Sequence, residues 1–88
     1  MSKTTIFETL RELLGQVDPR LDTAAVRLDD APLRSYGIDS LCLVRLTCEV
    51  EDRFDIAIDD GEAATASSFT RLVDLVAQKI GPAEEVAA

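Results

Sequence analysis

Apolar residues in this 88-residue chain recur three and four positions apart in three separate runs, and that period restricts its fold more than any other feature. The first run is Ile6, Phe7, Leu10, Leu13, Leu14 and Val17; the last is Phe69, Leu72, Val73, Val76 and Ile80. Between them lie Leu43, Leu46, Thr47, Val50 and Phe54, which share one sector of a helical wheel about 100° wide. Each run predicts a helix with one face turned to a core. The first helix is expected over Thr5–Gln16, with Thr5 and Glu8 forming a capping box. The second is expected from Ser40 to Arg53 or Phe54, and the last from Ser68 to Lys79 or Ile80. With no Trp and only 5% aromatic residues, the core must be aliphatic, which suits packed helices better than a β-sandwich. The predicted fold is all-α: a small bundle of three main helices, a short helix before the last, and a long first loop.

Asp18-Pro19 should end the first helix. The connection from Asp18 to Asp39 is too long to lack structure, so Leu21, Val26, Leu28 and Leu33 are expected to pin it to the helices, with a helical turn near Thr23–Val26. Gly61–Thr65 reads as a short helical turn. Gly81-Pro82 is expected to stop the last helix, making 1–80 one folded domain and 81–88 a flexible acidic tail.

Formal net charge is -8, which argues against nucleic acid and anionic membrane as partners and for partners with basic surfaces. No apolar run approaches the roughly 20 residues that span a bilayer, and no apolar segment follows Met-Ser-Lys-Thr-Thr to suggest a secretory signal. Cys42 and Cys48 fall on one predicted helix about 9 Å apart along its axis, on different faces, too far for a mutual disulfide. Two free thiols fit a reducing, cytoplasmic setting. With no His, a zinc site is not expected. Asp59-Asp60-Gly61 lacks the alternating acids of a calcium loop, and Ser67 stands where its glutamate belongs. No metal site is predicted, and the expected state is a monomer.

Tyr36-Gly37-Ile38-Asp39-Ser40-Leu41 joins a turn to a helix start, so the Ser40 hydroxyl should be displayed at the electropositive end of the second helix. Three readings compete. Serine is a common N-cap, but Asp39 can cap equally well and would free it. A catalytic serine needs a base, usually His, and the chain has none. The third reading is an attachment point for a group carried to partners, which needs an exposed hydroxyl, a nearby carboxylate and a partner surface. The same helix supplies that surface. Leu41, Val44 and Cys48 form a minor apolar stripe beginning one residue after Ser40 and facing away from the core sector, with Arg45, Glu49, Glu51 and Asp52 as charged neighbours.

Gly37-Ile38-Asp39-Ser40-Leu41 resembles the attachment motif of acyl and peptidyl carrier proteins. Leu41-x-x-Val44-x-Leu46 and Phe54-x-Ile56-x-Ile58-x-Asp60 also stand where that family has them, and helix order, length and acidity agree, so the resemblance covers nearly the whole chain. It implies a 4'-phosphopantetheine arm on Ser40, transferred from coenzyme A by a separate phosphopantetheinyl transferase with Mg²⁺. Asp39 matches the family's acidic position and would help place metal and transferase. The arm's thiol would hold an acyl or aminoacyl group as a thioester, and the domain would perform no catalysis itself. Implied partners are that transferase, a loading enzyme (an acyltransferase or an adenylation enzyme) and a downstream transferase or synthase. Leu41, Val44, Arg45, Cys48, Glu49 and Asp52 would form the partner-binding face.

Carriers of primary fatty-acid synthesis usually show Asp where this chain has Cys42, Glu where it has Arg45, Leu where it has Tyr36 and a larger apolar residue where it has Cys48. Each change is expected to alter the surface partners read. The expectation is therefore a stand-alone carrier in polyketide or nonribosomal-peptide biosynthesis of antibiotic type, which the initial Met supports. The alternatives are a fatty-acid synthesis carrier, or a helical interaction domain that carries nothing.

Overall fold

A computed structural model of the chain describes residues 2–87, with backbone alone beyond Ile80. Among the described residues there are four helices: α1 Lys3–Val17, α2 Ser40–Phe54, α3 Asp60–Thr65 and α4 Phe69–Ala87. Two 3-10 turns, Thr23–Ala25 and Leu33–Tyr36, punctuate the connection from α1 to α2. The bundle of three long helices and one short one is the predicted architecture, but the Leu33–Tyr36 turn was not foreseen.

α1 starts earlier than expected. Ser2, not Thr5, is its N-cap: the Ser2 Oγ accepts the Thr5 N–H at 3.2 Å. Serine outside the first turn satisfies a donor that Thr5 could reach only by giving up that turn. The three apolar runs then meet. Ile6, Leu10 and Leu14 of α1, Leu46 and Val50 of α2, and Phe69, Leu72 and Val76 of α4 are all fully buried. Burying each such side chain stabilises the fold by about 1.5–3 kcal/mol before the entropy of ordering is counted. Phe7 meets Phe69 edge to face, with ring centres 5.7 Å apart.

The long connection is held at both ends. Arg11 Nε donates to the Thr23 carbonyl at 3.1 Å, fixing the first 3-10 turn on α1. The Leu33 N–H donates to the Ser67 carbonyl at 3.0 Å, and the Thr70 N–H donates to the Asp29 carbonyl at 3.2 Å, which ties the second half to the start of α4. Val26 and Leu33 are buried as expected, and Leu21 packs against the core. Leu28 is not pinned: it is 41% exposed. The neighbouring Asp29 takes the inward place, because its carboxylate and carbonyl both have donors there, and Leu28 is turned out.

α3 opens with a full capping box. Asp59 Oδ1 accepts the Glu62 N–H at 2.7 Å, and Glu62 Oε1 accepts the Asp59 N–H at 3.1 Å. Lys79 of α4 pairs with Glu62 Oε2 at 2.8 Å. Ser68 Oγ accepts the Arg71 N–H at the start of α4. Gly81-Pro82 does not stop α4, contrary to the sequence expectation; helical backbone continues to Ala87. Proline's fixed φ fits a helix, and what it removes is one N–H and some room at the carbonyl four residues back. The side chains of 81–88 and the structure of Ala88, where the flexible tail was expected, lie outside the described residues.

Candidate functional site

The site is built by the second 3-10 turn and the residues after it. Gly37 closes that turn in the left-handed region at φ 85°, its N–H donating to the Arg34 and Leu33 carbonyls. The backbone conformation favours glycine, and a Cβ there would also press on Leu21 Cδ2 at 3.1 Å. Ile38 is buried, and its N–H reaches the Leu33 carbonyl. With Ile38 anchored inward, Asp39 is extended and becomes the N-cap of α2, Oδ1 accepting the Cys42 N–H at 2.8 Å. Ser40 is the first helical residue and is exposed. Asp39 does the capping, and no described hydrogen bond uses the Ser40 hydroxyl. A free hydroxyl therefore stands at the positive end of a helix of 15 residues.

Two open clefts flank this start. One, of about 600 Å³, runs between the Leu33–Tyr36 turn and the α3–α4 junction, with Ser40, Asp39, Arg34, Leu43 and Ala66 in its walls. The other, of about 290 Å³, lies between the end of α1 and α2, with Asp18, Arg20, Leu41 and Arg45 around it. In that second cleft Arg20 donates from its backbone N–H and its Nε to Asp18 Oδ1. Those bonds hold the Asp18 carboxyl below its ordinary pKa.

The outward stripe is where the helical wheel placed it: Leu41 is 67% exposed, Val44 55%, and Cys48 is exposed. Arg45, Glu49 and Asp52 are exposed beside it. Glu51 is engaged within the fold instead, its Oε2 accepting the Ile58 N–H at 3.0 Å.

Two residues expected to reshape the surface point inward. Cys42 is buried, at the edge of the α2 face that also buries Leu46, Thr47 and Val50, while Leu43, assigned to the core, is half-exposed in the larger cleft. Burial, with Asp18 and Asp39 nearby, pushes the Cys42 thiol above its usual pKa and so away from the reactive thiolate. Tyr36 packs its ring on Phe69, centres 5.9 Å apart, and gives its hydroxyl hydrogen to Asp29. Both depend on how the long connection is laid across the helices, which periodicity does not specify.

Sequence reasoning also missed Arg34 and Arg20. Each is brought to the α2 start by the connection before Gly37, and neither lies on a periodic face. The only signal was their charge in an otherwise acidic chain.

Comparison with known proteins reaches the same region. A family profile described as a phosphopantetheine attachment site matches residues 5–76. An acyl carrier protein of Campylobacter concisus is 32% identical over 79 residues, which is 86% of this chain and 96% of that protein. A segment of an iterative polyketide synthase of Emericella nidulans is 34% identical over 84 residues, covering 90% of this chain and 3% of the synthase. Among solved structures, the hexanoyl carrier protein of the actinorhodin polyketide synthase of Streptomyces coelicolor superimposes with a TM-score of 0.72 at 25% identity, over 84% of this chain and 88% of that one.

Proposed function

This chain belongs to the phosphopantetheine-attachment family of acyl carrier proteins, which carry 4'-phosphopantetheine covalently, and from that premise we propose that Ser40 is the residue that holds the arm. The observation that carries the reading is the division of labour at the start of α2: Asp39 caps the helix, and the Ser40 hydroxyl is exposed and has no hydrogen-bond partner among the described residues. The site suits the group. A phosphodiester on Ser40 Oγ would sit at a helix N-terminus, where backbone N–H groups and the helix dipole favour negative charge. The open cleft beside it leaves room for a chain leaving the serine.

When bound, the arm supplies a thiol that holds cargo as a thioester. The protein's own residues would fix its root and meet the enzymes that use it. Asp39 is held by the Cys42 N–H, so its carboxylate keeps one place beside Ser40, suited to positioning the Mg²⁺ of a phosphopantetheinyl transferase. Leu41, Val44 and Cys48, exposed on one side of α2 with Arg45, Glu49 and Asp52, would be the face that the transferase, a loading enzyme and a downstream synthase read in turn.

For the pathway we propose polyketide or nonribosomal-peptide biosynthesis over fatty-acid synthesis. Similarity to a segment of one polyketide synthase and to the carrier protein of another supports it, as does the positive charge of Arg45 on the partner face. A partner surface facing Arg45 should be acidic or neutral, since a basic group there would be repelled. The test loads the arm-bearing protein with acyltransferases, adenylation enzymes and fatty-acid synthesis enzymes, identifies the thioester by mass, and repeats the kinetics with Arg45→Glu. Loading by natural-product enzymes that slows in the variant supports the proposal. Preferential loading by fatty-acid enzymes contradicts it.

A further inference from the structure

Arg34 shares the larger cleft with Ser40 and is the one cationic residue among those lining it; Asp39 is the other charged one. Its backbone is fixed. The Gly37 N–H closes on the Arg34 carbonyl at 3.0 Å, and the neighbouring Leu33 is held to Ser67 at 3.0 Å. Its guanidinium takes part in none of the hydrogen bonds or ion pairs among the described residues, unlike Arg11 and Arg20. An arginine that has no partner among the described residues, on a turn lining the same cleft as the Ser40 hydroxyl, is suited to an anion fixed at that hydroxyl.

Resting on the reading of Ser40 as the attachment residue, we infer that Arg34 is the counter-charge for the phosphodiester at the root of the arm, and that it draws the arm over the cleft between the Leu33–Tyr36 turn and the α3–α4 junction. A phosphodiester on Ser40 bears one negative charge and cannot leave the cleft mouth, whereas an anionic cargo at the arm's far end can swing away. The same phosphodiester would be repelled by the Asp39 carboxylate that caps α2. The N-terminus of α2 offsets part of that repulsion. Arg34 would offset a further part from the cleft side and so draw the arm's root away from the exposed Leu41 face. Arginine suits the task because its planar guanidinium can donate two parallel bonds to one phosphate.

The test compares wild type, Arg34→Gln and Arg34→Lys, each with and without the arm. Intact mass and fragment mapping first establish that the arm is on Ser40 in all three. Phosphorus NMR then follows the phosphodiester signal, and nitrogen–proton correlation spectra follow the amides of Leu33, Ala66 and Ser67. In wild type and Arg34→Lys, adding the arm should shift those amides, and salt should move the phosphorus signal because a solvent-exposed pair is screened. In Arg34→Gln both responses should fall to less than half, with the arm-free spectrum otherwise unchanged. Equal responses in all three proteins, with the arm on Ser40, would overturn the role of Arg34 alone. An arm found elsewhere than Ser40 would overturn the attachment reading and this inference with it.

Discussion

Tyr36 gives its hydroxyl hydrogen to Asp29 Oδ2 across 2.8 Å, joining the turn that precedes the candidate site to a segment seven residues earlier. The Asp29 carbonyl accepts the Thr70 N–H, so the pair also ties that turn to the start of α4. The bond holds the phenol above its usual pKa, because loss of the proton would set two negative charges face to face. Tyr36→Phe keeps the ring on Phe69 and removes only the donor. It should lower the melting temperature modestly and loosen the segment 29–37, read as faster amide exchange there, while α1 exchanges as before. Unchanged exchange at 29–37 would show that the bond does not hold the turn.

The two faces of α2 should respond oppositely to truncation. Leu46 is fully buried, and removing a buried leucine side chain costs about 2–5 kcal/mol. Val44 is 55% exposed, and Val44→Ala should stay within about 0.5 kcal/mol of wild type. Urea unfolding of both variants measures this. Equal losses would show that the stripe is part of the core.

What the sequence shows, and what it hides, divides by range. The turn at Gly37, the helix start at Asp39-Ser40 and the display of Ser40 were readable because each depends on neighbours within three or four residues, whereas local chemistry let either Asp39 or Ser40 be the cap and the fold chose Asp39. The inward turn of Tyr36, the burial of Cys42 and the exposure of Leu28 depend on where the connection crosses the bundle, and no local period encodes that. Arg34 was missed for the same reason: long-range contacts, the bond from Leu33 to Ser67 and the packing of Tyr36 on Phe69 among them, bring its turn against the α3–α4 junction. The passage of α4 through Gly81-Pro82 shows that strong local stop signals do not always end a helix.

Acid should loosen α3 before it unfolds the bundle. Glu62 caps α3 and pairs with Lys79, and the Lys79 ammonium, followed by the Asp59 N–H, holds its carboxyl below the ordinary glutamate pKa. The unfolded chain therefore binds the proton at higher pH than the folded one. The contribution is fully present above the unfolded-state value and is lost as pH falls through the lower, folded-state value. Wild type should lose stability over that window by more than Glu62→Gln does, and amide exchange at Asp60–Thr65 should rise first. Parallel acid titrations of the two proteins would contradict this.

The central claim is that Ser40 holds the arm. Coenzyme A, Mg²⁺ and a broad-specificity phosphopantetheinyl transferase should add one phosphopantetheine to the wild-type protein, with fragment masses placing it on Ser40. Ser40→Ala should keep its helical circular dichroism and gain no mass. An arm on any other residue, or a mass gain in Ser40→Ala, would contradict the account.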